Sequence, residues 1–237
     1  MTKKIGANGN KRRELVDAAI HSAAISLFYN KGYTKTGLQD IADAVELSRP
    51  ALYHYINSKE EILDRLVEDL TISKSHELVQ LTSDKNLSPR EKLTHLVSSV
   101  ARQVVEQPLH FRILDRCEPH LNADVKARQR VAKRAVRDAF VETLRQGIAT
   151  GDFECENIER AAYTLIGMCT WIAWWFPVTK GGEQEQTIAQ IAKMALRAVT
   201  TPGLTPANPE DTHEAISRIR DNLDDLERAL RSGQPGT

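Results

Sequence analysis

Thr36 to Lys59 reads TGLQDIADAVELSRPALYHYINSK, and the fold of the chain follows from how this stretch divides. Leu38, Ile41, Ala42 and Val45 fall at i, i+3, i+4 and i+7, one face of an amphipathic helix. Thr36, with Gln39 three residues on, makes the T-x-x-Q pattern, so Thr36 is the expected N-cap. The pattern breaks at Glu46-Leu47, and Ser48 with Pro50 in the first turn starts a second helix. Leu52 and Ile56, four apart, are its plain core residues, which leaves Arg49, Ala51, Tyr53, His54 and Tyr55 for the other faces. The second helix ends near Asn57, where Ser58 caps a third with Glu61 at N3.

Two short helices joined by a tight turn, each too small to bury its own core, form a helix-turn-helix unit. The second presents a guanidinium, three ring groups able to hydrogen bond, and one small residue that permits close approach to a groove floor. Lys59, at the next helix start, places a cation beside free N–H groups, which suits a phosphate.

Ala24 to Leu63, AISLFYNKGYTKTGLQDIADAVELSRPALYHYINSKEEIL, resembles the DNA-binding domain of the TetR family of transcriptional regulators through Leu27-Phe28, Gly32, Thr36, Ile41-Ala42, Leu52-Tyr53 and Lys59. One position departs: the family usually carries Gly in the turn, and here it is Glu46. A left-handed conformation there would cost a side chain roughly 1 kcal/mol. The resemblance implies a homodimeric repressor that binds a palindromic double-stranded DNA operator and is released by a small-molecule effector. It casts Ser48 to Tyr55 in a major groove, with Arg49 reading a base and Pro50 and Ala51 making apolar contacts. Tyr53, His54, Tyr55, Thr36 and Lys59 would touch phosphates, and Tyr53 could equally be core.

Composition fits such a protein and excludes others. The 237 residues carry zero formal net charge, so the molecule as a whole is not a polycation. Residues 1–59 hold nine Lys/Arg against five acids, +4, while residues 204–237 hold four against seven, −3. Cys117, Cys155 and Cys169 are an odd number without C-x-x-C spacing, which points to a reduced, cytoplasmic chain rather than a disulfide framework or zinc site. The seven histidines form no H-x-x-x-H pair, and no G-x-S-x-G, P-loop or G-x-G-x-x-G occurs, so no catalytic constellation, metal or cofactor is expected.

In order along the chain, residues 1–10 are polar, lack the apolar core of a signal peptide and are expected as a disordered basic arm. The Lys11-Arg12-Arg13 cluster is a candidate phosphate contact. Val16, Ile20, Ala23, Ala24, Leu27 and Phe28 mark a bracing helix that ends at Gly32. A linking helix runs from Lys59 to about Ser75, and Ser88-Pro89-Arg90-Glu91 starts another that Pro108 stops. A short element spans Leu109 to Glu118, and a long helix runs from about Asp124 to Thr150, closed by Gly151. Period-2 alternation is absent, so the fold class is all-α: a three-helix helix-turn-helix head over residues 11–58 and a helical ligand-binding and dimerisation domain over residues 59–201.

Lys126, Arg130 and Arg134, four apart, are either a solvated face or a cationic edge for an anionic ligand. Ala161 to Thr179 is uncharged and holds all three tryptophans. Three threonines, Gly167 and Pro177 dilute it, so a membrane span is rejected and a helix buried on all sides is expected, one face toward its own core and the other toward a partner chain or a ligand cavity. By the family resemblance, Ala161–Phe176 and Glu183–Val199 are the dimer helices, with Trp174, Ile188, Ile191 and Ala195 at the interface. The same resemblance implies a ligand pocket, to which we assign Phe111, Leu114, Arg130, Arg134, Met168, Trp171 and Trp175. The Thr-Trp-x-x-x-Trp-Phe-Pro run is similar to members that sense acyl-CoA thioesters. Residues 202–237 form a proline-rich linker and an acidic amphipathic helix with a heptad seam from Ile216 to Leu230. A constitutive DNA-binding factor, and a small-molecule-binding protein whose head no longer binds DNA, remain as alternatives.

Overall fold

A computed structural model describes residues 5–178 and 183–200, together with 217 and 220. Those to residue 200 belong to one compact unit. They form α1 (Ile5–Asn30), α2 (Leu38–Ala44), α3 (Arg49–Leu52), α4 (Lys59–Val67), a π-helical turn (Glu68–Ile72) and α5 (Ser73–Thr82). Then come α6 (Pro89–Glu106), α7 (Pro108–Cys117), a 3-10 turn (Glu118–His120), α8 (Ala123–Thr150), α9 (Ile158–Trp175) and α10 (Gln184–Val199). The described residues contain no named strand; an isolated bridge pairs Phe153 with Thr200.

Helix boundaries follow local chemistry. Ser88 caps α6 in a complete box, its hydroxyl accepting from Glu91 N–H while the Glu91 carboxylate accepts from Ser88 N–H at 2.8 Å. Asn122 and Asn157 cap α8 and α9 through their side-chain oxygens. Gly151 ends α8 in the left-handed region at φ 80°. Near the same corner Gly147 has no room for a methyl, because Phe153 packs onto its Cα.

Two elements differ from the sequence reading. Helix α1 already begins at Ile5, inside the segment expected as a disordered arm. The linking helix runs past Ser75 to Thr82 and passes through the π turn instead of remaining α-helical. The heptad seam of the tail lies outside the described residues.

The packing does not stop at the expected boundary between residues 58 and 59. One core joins Ile20, Phe28, Ile41 and Leu52 of α1–α3 to Leu63 and Val67 of α4 and to Ile113, Leu114 and Cys117 of α7. A second core joins α5, α6, α8, α9 and α10 around Leu96, Phe140, Leu165 and Cys169. Burial pushes the Cys169 thiol up to about 12, so it stays a protonated packing group. Helix α7 therefore belongs to the head's core while also touching α9, with Arg112 donating to the carbonyls of Ala173 and Phe176 at the end of α9.

Candidate nucleic-acid interface and ligand cavity

Helix α3 is held from behind and open in front. Leu52 and Ile56 are 0% and 1% exposed, and their burial fixes the helix against α1, α2 and α4. Ser48 caps it, its hydroxyl accepting from Ala51 N–H at 3.3 Å. Ser48, Arg49, Pro50, Tyr53 and His54 are exposed, Ala51 is half-buried, and Tyr55 is half-buried against the head core. Tyr53, 43% exposed, is thereby a surface residue. Arg49 donates to the Tyr53 hydroxyl at 3.3 Å and its guanidinium carbon lies 5.8 Å from the ring centre, so the two side chains order one another on the open face. Glu46, in the turn between α2 and α3, adopts φ 56° and keeps the left-handed conformation that the sequence made costly.

One assignment made from sequence needs correction, and a second residue is also engaged inside the chain. Thr36 does not cap α2 and does not face outward: it is 1% exposed, and its hydroxyl donates to the Gly32 carbonyl at 2.9 Å. Gly37 is the N-cap, and Asp40 accepts from its N–H at 2.7 Å. Gln39, the supposed box partner, donates to Asp43 instead. The one-residue shift turns Thr36 into an internal brace between the end of α1 and the start of α2. Lys59 is likewise a brace: its ammonium donates to the carbonyls of Tyr33 at 2.9 Å and Thr36 at 3.2 Å and lies 4.4 Å from the Tyr33 ring centre. Two of its three donors are engaged inside the chain.

What the sequence reading missed is the cleft these braces create. The starts of α2 and α4 lie side by side along a shallow depression lined by Thr34, Lys35, Gly37, Asn57 and Ser58. Helix N-termini carry unpaired N–H groups and a partial positive charge, and Lys35 is exposed at its edge. Lys11, Arg12 and Arg13 are also exposed, but on the face of α1 and not on an arm.

A cavity of about 410 Å³ opens between α5, α6, α7, α8 and α9. Leu70, Leu78, Val100, Phe111, Leu114 and Ile166 supply its apolar wall. Phe111 and Leu114 were expected here; the other assigned residues are elsewhere. Arg130 and Arg134 are exposed on a different face of α8, whose wall of the cavity is Gln129, Lys133, Val136 and Arg137. Met168 packs against the second core. Trp171 and Trp175 are 65% and 53% exposed and Trp174 is 42% exposed, so α9 is not buried on all sides within one chain. Ile188 and Ala195, expected at an interface, are buried in their own subunit, with Ile191 half-buried beside them. The large apolar residues left exposed on α9 and α10 are instead Tyr163, Trp171, Trp174, Trp175 and Met194.

A roomier groove of about 590 Å³ between α5 and α6 is polar, and its groups answer one another: Lys74 and Ser99 both bond Glu77, and Arg102 pairs with Glu185. No helix among the described residues is long and apolar enough to cross a membrane.

Comparison with known proteins agrees with this architecture. Residues 20–66 match the profile described as "Bacterial regulatory proteins, tetR family", and residues 86–199 match "Tetracyclin repressor-like, C-terminal domain". The HTH-type transcriptional repressor KstR2 of Mycolicibacterium smegmatis is 27% identical over 183 residues, 75% of this chain and 87% of that protein. The structure of the TetR family regulator PfmR from Thermus thermophilus superposes with a TM-score of 0.65 at 26% identity, over 75% of this chain and 97% of PfmR. AibR, in complex with isovaleryl coenzyme A and operator DNA, shares the fold at a TM-score of 0.58 and 22% identity, over 76% of this chain and 97% of AibR. With an N-terminal helix-turn-helix head, a helical C-terminal domain and profile matches that together span more than half its length, the chain belongs to the TetR family of transcriptional regulators.

Proposed function

We propose that this regulator binds a palindromic operator as a homodimer and is released from it by a small molecule that fills the cavity between α5 and α9. The observation that carries the reading is the position of α7: Phe111 and Leu114 line the cavity, while Leu114, Ile113 and Cys117 are part of the head's core. A ligand pressing on this helix presses on the head. In the last turn of α7, Arg116 lies over the Tyr29 ring at 5.1 Å, and just past α7 His120 packs on the Tyr33 ring at 4.8 Å, so this segment holds the end of α1 and the turn that follows it. The π turn offers a second route, because Leu70 and Thr71 line the cavity in the helical run that begins at Lys59.

In this account Arg49, steadied by Tyr53, reads a base edge, most naturally guanine. Ser48, Pro50 and Ala51 meet the groove floor, and His54 and Tyr55 flank the backbone. Phosphates settle on the cleft between the starts of α2 and α4. Thr36 and Lys59 shape that cleft, and Lys59 has one ammonium hydrogen left for a phosphate. The exposed strip around Trp171 and Trp174 is the dimer contact, since a regulator with two heads needs an apolar area of this kind to hold them at operator spacing.

For the effector, the acyl group of a coenzyme A thioester suits a cavity with an apolar wall, and AibR binds such a thioester. A thermal-shift screen of the purified protein against small molecules, acyl-CoA thioesters among them, tests the gating. A compound that raises the melting temperature and lowers operator affinity is the expected result. Stabilisers that leave operator affinity unchanged would argue for a constitutive DNA-binding factor.

A further inference from the structure

Arg112 holds the end of a helix far from it in sequence. Helix α9 closes at Trp175, and the carbonyls of its last turn have no partners within the helix. Phe176 N–H donates to one of them, that of Ile172, at 2.9 Å. The guanidinium of Arg112, 61 and 64 residues back, serves two that follow: Nε donates to the Ala173 carbonyl and Nη2 to the Phe176 carbonyl at 3.0 Å. Ala173 and Phe176 are buried, while Trp174 and Trp175 between them are exposed. Arg112 thus fixes from inside the turn that presents these two tryptophans outward.

The backbone that carries Arg112 leads to the head. Ile113, Leu114 and Cys117 are buried in the head's core. Phe111 packs against that core and also against a third one, which holds Ile172, Ala173 and Phe176. The Phe176 ring in turn meets the Trp175 ring at 5.9 Å between centres. A single stretch of α7, from Phe111 to Cys117, therefore contacts both the head and the tryptophan turn. Apolar packing alone lets two such surfaces slide; a guanidinium fork bonded to two carbonyls fixes direction as well as distance. A displacement of the tryptophan turn carries α7 with it, and close packing passes the step to the head's core.

We infer that Arg112 is a positioning residue that couples the tryptophan turn of α9 to the DNA-binding head, so that occupancy of Trp174 and Trp175 and occupancy of α3 influence one another. The inference rests on the head binding duplex DNA, as proposed above. With the tryptophan face as the dimer contact, Arg112 sets the direction in which each subunit holds its head relative to the other. Such coupling is reciprocal, and DNA on the head must alter the surroundings of the tryptophans.

Trp171, Trp174 and Trp175 are the only tryptophans of the chain, and all lie in the last two turns of α9, so tryptophan emission reports on this place alone. The test is acrylamide quenching of the full-length protein, with and without a saturating duplex of about three helical turns, for wild type, Arg112→Met and Arg112→Lys. Anisotropy of a labelled duplex establishes saturation for each variant. In wild type the duplex changes the quenching constant. Arg112→Met, which keeps the stem and loses the fork, reduces that change about two-fold or more, and Arg112→Lys, with a point charge in place of the fork, falls between. An unchanged quenching constant in wild type at saturation overturns the coupling and leaves DNA binding standing. A change of full size in Arg112→Met also overturns it, and a lower melting temperature without that loss makes Arg112 a helix cap only. Should Arg112→Met fail to fold, Arg112→Gln takes its place with the same two outcomes. Absence of duplex binding by wild type at low salt overturns the DNA-binding reading and the inference with it.

Discussion

The ammonium of Lys59 donates to the carbonyl of Tyr33 at 2.9 Å and sits over the ring of the same residue. One side chain at the start of α4 therefore ties down the connection between α1 and α2, and it does so before any DNA is present. Replacement of Lys59 by Met, which keeps the stem but removes the donors, is expected to destabilise the head by about 1–2 kcal/mol. It should also weaken binding to every duplex alike and lower the salt dependence by about one phosphate contact. Chemical denaturation and duplex titrations at several salt concentrations check both parts.

Arg49→Ala should act differently. The guanidinium is exposed and, among the described residues, bonds Tyr53 alone, so its loss should leave stability within experimental error of wild type. Discrimination at one operator base pair should fall by about 1–3 kcal/mol. Titration against operators substituted at single positions distinguishes this from a uniform loss.

At Glu46 the backbone is left-handed, and glycine carries no Cβ penalty there. Glu46→Gly is expected to raise stability by up to about 1 kcal/mol, offset in part by the extra freedom glycine gives the unfolded chain. Equilibrium unfolding in urea measures the change.

Burial holds His21 on α1 and His110 on α7 below the usual imidazole value of 6.5. The unfolded chain then takes up protons first as pH falls. Their contribution to stability is complete above about pH 6.5 and is lost as pH drops toward and through the lower folded values. Melting temperatures should decline across this range, above the pH at which carboxylates titrate. His110→Gln should flatten the decline.

Trp171→Asp, at a position 65% exposed in the single chain, should leave the subunit folded and break the proposed dimer. Sedimentation equilibrium on the variant would give the monomer mass, where wild type gives twice that value.

Capping and core signals made much of the architecture legible from sequence. Ser88 and Glu91, Gly151, and the pair Leu52 and Ile56 each behave as their local patterns require, because their partners lie within one or two turns. Thr36 was misread because two overlapping cap patterns compete, and Gly37 with Asp40 wins once the Thr36 hydroxyl can reach the Gly32 carbonyl. The bracing bonds of Lys59 could not be read from the sequence, because its partners at Tyr33 and Thr36 are more than twenty residues away. On α8 the evenly spaced arginines drew attention to Arg130 and Arg134. The residues of α8 that line the cavity are instead Gln129, Lys133, Val136 and Arg137. The tryptophan helix was expected to turn one face to its own core and the other to a partner chain or a ligand cavity, and the single chain leaves Trp171, Trp174 and Trp175 exposed.

The central claim is that this head reads duplex DNA as one half of a symmetric pair, and selection from a random duplex library by the full-length protein tests it most directly. The account predicts enrichment of a palindrome whose half-sites lie about one helical turn apart or slightly more, and loss of a defined base in each half-site when Arg49→Ala is used instead. Failure to enrich any sequence, with no salt-dependent association with duplex DNA, would contradict it.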